Sequence, residues 1–270
     1  MNEKRTYPIG IFDSGIGGLT VAHAVAMQLP QENIIYFGDT AHLPYGDKST
    51  AAIQAYSVKI CDVFLQQKCK LILIACNSAS AAAYELVKEY VGKKAYVINV
   101  IDPMVDYVDE NYTNKKIGLI GTKQTIFSNV YKKKLEERNS KIELHALATP
   151  LLVPMIEEGF FNNKISENII IEYLSHPTLQ SIEALILGCT HYPLIKEQIR
   201  KFYKNEIEII DSSEIVATTL KNYLIEQQLI NTERKGEKKF LVSDLTESFK
   251  ESTRIFFKQE VNLEYYPLWE

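Results

Sequence analysis

The chain carries much of its own pattern twice, and nothing else in it constrains the fold as tightly. Ile9-Gly10-Ile11-Phe12-Asp13-Ser14 is matched 108 positions later by Ile117-Gly118-Leu119-Ile120-Gly121-Thr122. Ile72-Leu73-Ile74-Ala75-Cys76-Asn77-Ser78 is matched by Leu185-Ile186-Leu187-Gly188-Cys189-Thr190-His191, with the cysteines 113 positions apart. Ile209-Ile210-Asp211 follows Val100-Ile101-Asp102 by 109. Apolar runs of buried-strand type at nearly constant spacing, separated by helical patterns, predict two similar α/β domains related by pseudo-symmetry, each a parallel sheet flanked by helices. The last segment has no counterpart in the repeat and is expected to pack back onto the first unit. The expected domains are therefore residues 1–100 plus 212–270, discontinuous in sequence, and residues 101–211.

In the first unit the pattern predicts strands over 7–12, 33–38 and 95–101, besides the one leading to Cys76, and helices over 19–28, 50–67 and 79–90. Downstream it predicts a helix over 193–203, opened by Pro193, and a helix over 214–228 capped by Asp211-Ser212-Ser213. A strand over 240–243, a helix over 246–258 and an aromatic-rich tail over 261–269 follow. The polar stretch 231–239 reads as a flexible loop.

Cys76 and Cys189 thus each fall where a strand hands over to a helix. Unpaired N–H groups and the positive end of the helix dipole gather there, so a thiolate is expected to be favoured relative to a free thiol of pKa about 8.5. In open α/β sheets this carboxyl edge is where ligands bind. Two units facing each other bring both cysteines to opposite sides of one cleft. Cys61 and Cys69 lie in or just beyond the helical pattern 50–67 and are expected to fill the core.

Composition narrows the function classes. A net charge of -4 without a large basic block does not indicate a nucleic-acid surface, and Lys132-Lys133-Lys134 reads as a solvated helix face. No apolar run approaches the ~20 residues of a membrane span, and residues 1–8 lack a secretory apolar core, so a cytoplasmic location is expected. The four cysteines form no C-x-x-C pair and no disulfide spacing, and are expected to be reduced.

Other chemistries fit less well. Gly15-Ile16-Gly17-Gly18 departs from a dinucleotide fingerprint at Thr20, and no phosphate-loop lysine follows it. Such glycines still let backbone N–H groups approach an anion. Cys189 and His191 are two residues apart, but a zinc site needs three or four ligands, and neither cysteine has another at metal spacing. A cysteine hydrolase would use Cys189 with His191 and leave Cys76 idle. Two thiols across a cleft suit proton exchange on both faces of one carbon, one as thiolate and the other as thiol, with inversion and no cofactor. Asp13 and His191 are placed to relay protons.

These residues resemble the cofactor-independent glutamate racemases. The resemblance rests on residues 13–19, 39–46, 75–79 and 120–122 and on Gly188-Cys189-Thr190-His191-Tyr192-Pro193-Leu194, in order along the chain. It implies interconversion of L- and D-glutamate, the latter a precursor of peptidoglycan. It further implies that Cys76 and Cys189 are the two bases, acting on the D- and L-enantiomer respectively, with Asp13 assisting Cys76, His191 assisting Cys189 and Glu157 near the second thiol. Asp13, Ser14, Pro44, Tyr45, Gly46, Asn77, Ser78, Thr190 and His191 would hold the substrate. Ser78 stands where the family usually has threonine and keeps the hydroxyl. These loops contain no arginine or lysine, so both substrate carboxylates would be met by N–H groups, hydroxyls and the Asn77 amide, and the ammonium by a carboxylate such as Asp13. No metal or cofactor is expected; a homodimer is the assembly the family suggests. An aspartate racemase with the same paired cysteines and a non-catalytic amino-acid-binding protein are the alternatives.

Overall fold

A strand whose every residue is buried must be covered on both faces, and three such strands form the centre of the first sheet. β1 (Ile9–Asp13), β2 (Ile34–Gly38) and β3 (Leu71–Ile74) are buried throughout in the computed structural model, which describes residues 3–232 and 236–270. Ile9, Ile11, Ile34, Tyr36, Leu71 and Leu73 face one core, while Phe12, Ile35, Phe37, Ile72 and Ile74 face another. This is the two-residue period of a strand with helices on both sides. At Gly10 the Phe64 ring takes the place of a side chain: a Cβ there would lie 2.7 Å from it.

Between these strands run the helices α1 (Leu19–Gln28) and α2 (Thr50–Gln66), followed after β3 by α3 (Asn77–Val91), β4 (Tyr96–Asn99) and α4 (Ile101–Asn111). The second half continues with β5 (Lys116–Gly121), α5 (Lys123–Phe127), α6 (Val130–Glu137), β6 (Glu143–Ala148), α7 (Leu152–Glu157) and α8 (Lys164–Leu174). It closes with β7 (Ala184–Gly188), α9 (Lys196–Phe202) and β8 (Glu208–Asp211). The remainder comprises α10 (Ser212–Glu226), β9 (Lys238–Val242), α11 (Glu247–Phe256) and β10 (Leu263–Tyr265).

Two separate parallel sheets result, ordered β10-β9-β2-β1-β3-β4 and β6-β5-β7-β8. Both contain the same second-first-third-fourth arrangement, so the sequence repeat is a repeat of topology. In each, the first and third strands lie side by side where the connections diverge to opposite sides, the crevice in which such sheets bind ligands. Pairing of Phe12 with Ile74 leaves Asp13 and Cys76 together at one carboxyl edge, and pairing of Gly121 with Gly188 does the same for Thr122 and Cys189.

After the second sheet the chain returns to the first, where β9 pairs with β2 and β10 with β9. The tail, read from sequence only as aromatic, thus contains an edge strand. One continuous apolar core joins the halves, running from Val25 of α1 through Val216 and Leu220 of α10 and Met104 of α4 to Ile186 of β7. The loop expected over 231–239 lies partly outside the described residues, at 233–235, and its last two residues begin β9. Lys132-Lys133-Lys134 lies on α6, where Lys134 pairs with Asp102 at 2.6 Å.

Two expected elements depart from their bounds: the strand expected over 95–101 ends at Asn99, with Ile101 already opening α4, and the helix expected over 193–203 starts late. Residues Tyr192–Ile195 form a 3₁₀ turn, with the α9 helix starting only at Lys196. The Tyr192 N–H bonds Cys189 O at 3.2 Å and the Leu194 N–H bonds His191 O at 3.1 Å, so the chain is wound tightly just after the cysteine.

At the opposite end of the first sheet a buried ion pair ties distant segments together. Lys70 Nζ contacts Glu32 Oε2 at 2.5 Å, Arg5 O at 2.5 Å and Leu229 O at 2.9 Å, while Glu32 Oε1 accepts the Asn231 N–H at 2.7 Å. Both side chains are almost wholly buried. Lys70→Met should therefore lower the unfolding free energy in urea by about 3–5 kcal/mol, because Glu32 is left as an uncompensated buried charge. Adding Glu32→Leu should recover part of the loss. Equal losses in the single and double variants would show that the stranded charge is not the cause.

Candidate active site

The two carboxyl edges enclose a narrow cleft between the halves. Every site residue nominated from sequence lines it except Asp13, which lies just beneath, and Thr122 and Val153 join them. Thr122 occupies the repeat position of Ser14, so the repeat itself carried the signal that would have nominated it. Its Oγ1 meets Ser78 Oγ at 2.8 Å, a contact between the halves across the cleft wall. A roomier recess around Lys68, Cys69 and Tyr96 lies at the other end of the first sheet, with no comparable set of converging acid and base groups.

On the first side, Cys76 is the N-cap of α3. Its Sγ accepts the Ala79 N–H at 3.4 Å and donates to Ser14 Oγ at 3.8 Å. The helix N-terminus does not produce the expected thiolate. Burial pushes the Cys76 thiol up to about 12, the neighbouring Asp13 charge adds to the rise, and the Ala79 N–H opposes it only in part. Asp13 is itself buried, and burial lifts its carboxyl above the usual range against the opposing charge of His191. It accepts the Gly15 N–H at 3.0 Å and the Thr190 hydroxyl at 3.4 Å. The anion that the glycine turn approaches is therefore the chain's own Asp13.

On the second side, no α-helix N-terminus meets Cys189. A histidine does: Cys189 Sγ lies 3.6 Å from His191 Nδ1, and His191 Nε2 lies 3.0 Å from Glu157 Oε1. Burial alone would lower the imidazole, but the hydrogen bonds to Cys189 and Glu157 and their charge outweigh it and hold it well above its ordinary range. His191 is thus a cation beside the sulfur, with Glu157 at the C-terminal end of α7 fixing its far nitrogen. Both cysteines are 6 % exposed.

The halves touch where these two sides meet. A Cβ on Gly17 would lie 2.4 Å from the His191 ring and 2.7 Å from Thr190 Oγ1, so only glycine lets the α1 turn reach them. The Thr20 hydroxyl donates to Thr190 O at 3.0 Å. Tyr131 of the second half donates to Asn77 Oδ1 at 2.8 Å and so fixes that amide in the cleft wall. Asn77 Nδ2 is buried without a partner among the described residues. Such a donor is unfavourable unless something with an oxygen acceptor comes to meet it.

Cys61 and Cys69 stay out of this arrangement. Both are buried in the apolar core between the sheet and α2, and burial raises both thiols, Cys69 to about 12 and Cys61 beyond it. His42 packs against aromatic rings, His145 pairs with Glu143, His176 caps a short turn and His23 stacks edge-on to Phe257.

Known proteins resemble this chain in sequence and fold. The family model described as Asp/Glu/Hydantoin racemase matches residues 19–220. Glutamate racemase 3 of Caldanaerobacter subterraneus subsp. tengcongensis is 38% identical over 262 residues, 97% of this chain and 94% of that protein. The crystal structure of glutamate racemase from Francisella tularensis subsp. tularensis in complex with D-glutamate superposes with a TM-score of 0.92 at 41% identity, covering 98% of this chain and 99% of that one. A glutamate racemase isoform from Bacillus anthracis gives a TM-score of 0.92 at 31% identity, over 97% and 98%. Matched over most of its length in both sequence and fold, the chain belongs to the Asp/Glu/Hydantoin racemase family, and within it to the glutamate racemases, which are amino-acid isomerases.

Proposed function

We propose that the chain interconverts L- and D-glutamate by a two-base proton transfer between Cys76 and Cys189, without a cofactor, and so supplies D-glutamate for peptidoglycan. One observation carries the reading: a cleft between the halves is lined by two thiols from opposite sides, each with its own acid–base neighbours.

The resting electrostatics favour one direction of assignment. His191 Nδ1 lies 3.6 Å from Cys189 Sγ, placed to assist that sulfur in taking the α-proton of L-glutamate. Cys76, held as a thiol, delivers its own proton to the opposite face of the carbanion. Afterwards Cys189 carries the proton and Cys76 the charge, which is the state that receives D-glutamate. The substrate ammonium beside Asp13 adds a positive charge that favours the Cys76 thiolate, which burial disfavours. The unpartnered Asn77 amide and the Ser14, Ser78, Thr122 and Thr190 hydroxyls serve the two carboxylates, with Pro44, Tyr45 and Gly46 closing the cleft from the first half. The return of β9 and β10 to the first sheet supports a division into residues 1–100 plus 212–270 and residues 101–211. A cytoplasmic location and a homodimer are the family's expectations; no helix among the described residues is long and apolar enough to cross a membrane.

Incubation with L-glutamate in D2O, with no cofactor added, should give loss of optical rotation together with α-deuterium. Turnover of aspartate instead would keep the mechanism and change the substrate, and binding without exchange would leave a non-catalytic binding protein. Cys76→Ala and Cys189→Ala should each lower racemisation by at least about 10³-fold, within the usual range for a lost acid–base group. Cys61→Ala should leave it nearly unchanged, and a folded but inactive Cys61→Ala would refute the assignment of the thiols. Because His191 titrates above its unfolded value of about 6.5, its contribution to stability is complete below that pH and is lost as pH rises through the folded value. The stability gap between wild type and His191→Gln, measured by denaturant titration, should therefore shrink on the alkaline side; a gap that widens there would reverse the assignment.

A further inference from the structure

One buried carboxylate is unused by this chemistry. Asp39, wholly buried at the end of β2, accepts hydrogen bonds from four side chains. Tyr45 OH donates to its Oδ2 at 2.6 Å, Ser243 Oγ and Trp269 Nε1 each donate to its Oδ1 at 2.7 Å, and His42 Nδ1 lies 3.1 Å from Oδ2. Two of these donors come from the C-terminal segment, more than 200 residues away in sequence. Tyr45 lines the cleft. Its hydroxyl is turned onto Asp39, so what it offers the cleft is its ring and the neighbouring backbone of Pro44 and Gly46.

The same segment is bound to the loop by several further contacts. Ser243 Oγ accepts the Ala41 N–H at 3.0 Å, and Thr40 Oγ1 donates to Asp244 O and accepts the Asp244 N–H. Trp269 packs edge-on against His42 at 4.5 Å and Tyr56 at 5.3 Å, and Tyr56 lies 5.7 Å from Tyr45. A carboxylate saturated by four oriented donors gives its neighbours one geometry.

We propose that Asp39 and Trp269 are positioning residues for the substrate cleft: the C-terminal tail, through Asp39, fixes Tyr45 and the loop that closes over bound glutamate. This rests on the glutamate reading above. Such residues touch no reacting atom, so their loss should weaken substrate binding and leave the proton transfers alone. Trp269→Phe removes the N–H donor and keeps a ring; Tyr45→Phe removes only the hydroxyl.

A double-mutant cycle tests the proposal. Each single variant should raise KM for both enantiomers by roughly tenfold, with kcat within about twofold, and the double variant should be no worse than the worse single one. Effects that multiply, or a fall in kcat at unchanged KM, would overturn it. Trp269 is the chain's single tryptophan, so its emission reports on the hub without a label. Tyr45→Phe should shift that emission in the absence of substrate, and an unchanged spectrum would overturn the coupling even if Trp269→Phe does not fold. Wild-type protein that racemises no glutamate would refute the preceding section's reading, while the emission of Tyr45→Phe would still decide this one.

Discussion

Everything in the site depends on how closely the two carboxyl edges approach. Gly17 sits against His191 and Thr190 at a distance no side chain would allow, and Thr20 bonds the Thr190 carbonyl from the same turn. That approach buries both thiols, brings Thr190 onto Asp13 and keeps bulk water away from the charges between them. In a low-dielectric cleft each of those charges acts more strongly on its neighbours than it would in water. The continuous apolar core through α1, α10 and α4 is what holds the edges in register.

Two halves with one topology have arrived at two different solutions for a sulfur. The first uses a helix N-cap and a buried carboxyl, which leave the thiol protonated. The second has a 3₁₀ turn in place of the helix, and an imidazole held by Glu157 lies beside its sulfur. The asymmetry fits the proposed proton exchange, which would need one acid and one base at any moment.

Much of this was legible in the chain. The repeat announced the two sheets because buried parallel strands are written as apolar runs, and Leu19–Gln28 emerged at its expected bounds because a glycine turn precedes it and its pattern is helical. The loops that line the cleft could be named because they follow strand ends at a switch point. What the sequence could not express is three-dimensional. Nothing local in Gly188-Cys189-Thr190-His191 says that the turn after it will be tight, since that follows from hydrogen bonds of Tyr192 and Leu194. The true environment of Cys76 was hidden because burial, a property of the whole fold, outweighs the local helix N-terminus. The partnership of Glu32 with Lys70 and that of Asp39 with Trp269 join segments with no periodic relation at all.

The return of the chain to its first sheet also sets an order of events during synthesis. β1 to β4 can pair as they emerge, yet the edge beside β2 stays open and Asp39 keeps none of its C-terminal donors until Ser243 and Trp269 have been made. A nascent chain therefore holds a nearly complete sheet with an unfinished side, exposed to other strands for the time the second half takes to be translated. The same feature makes the last residues a checkpoint: a chain cut short by a few amino acids has both cysteines in place but lacks the contact that settles the loop over them.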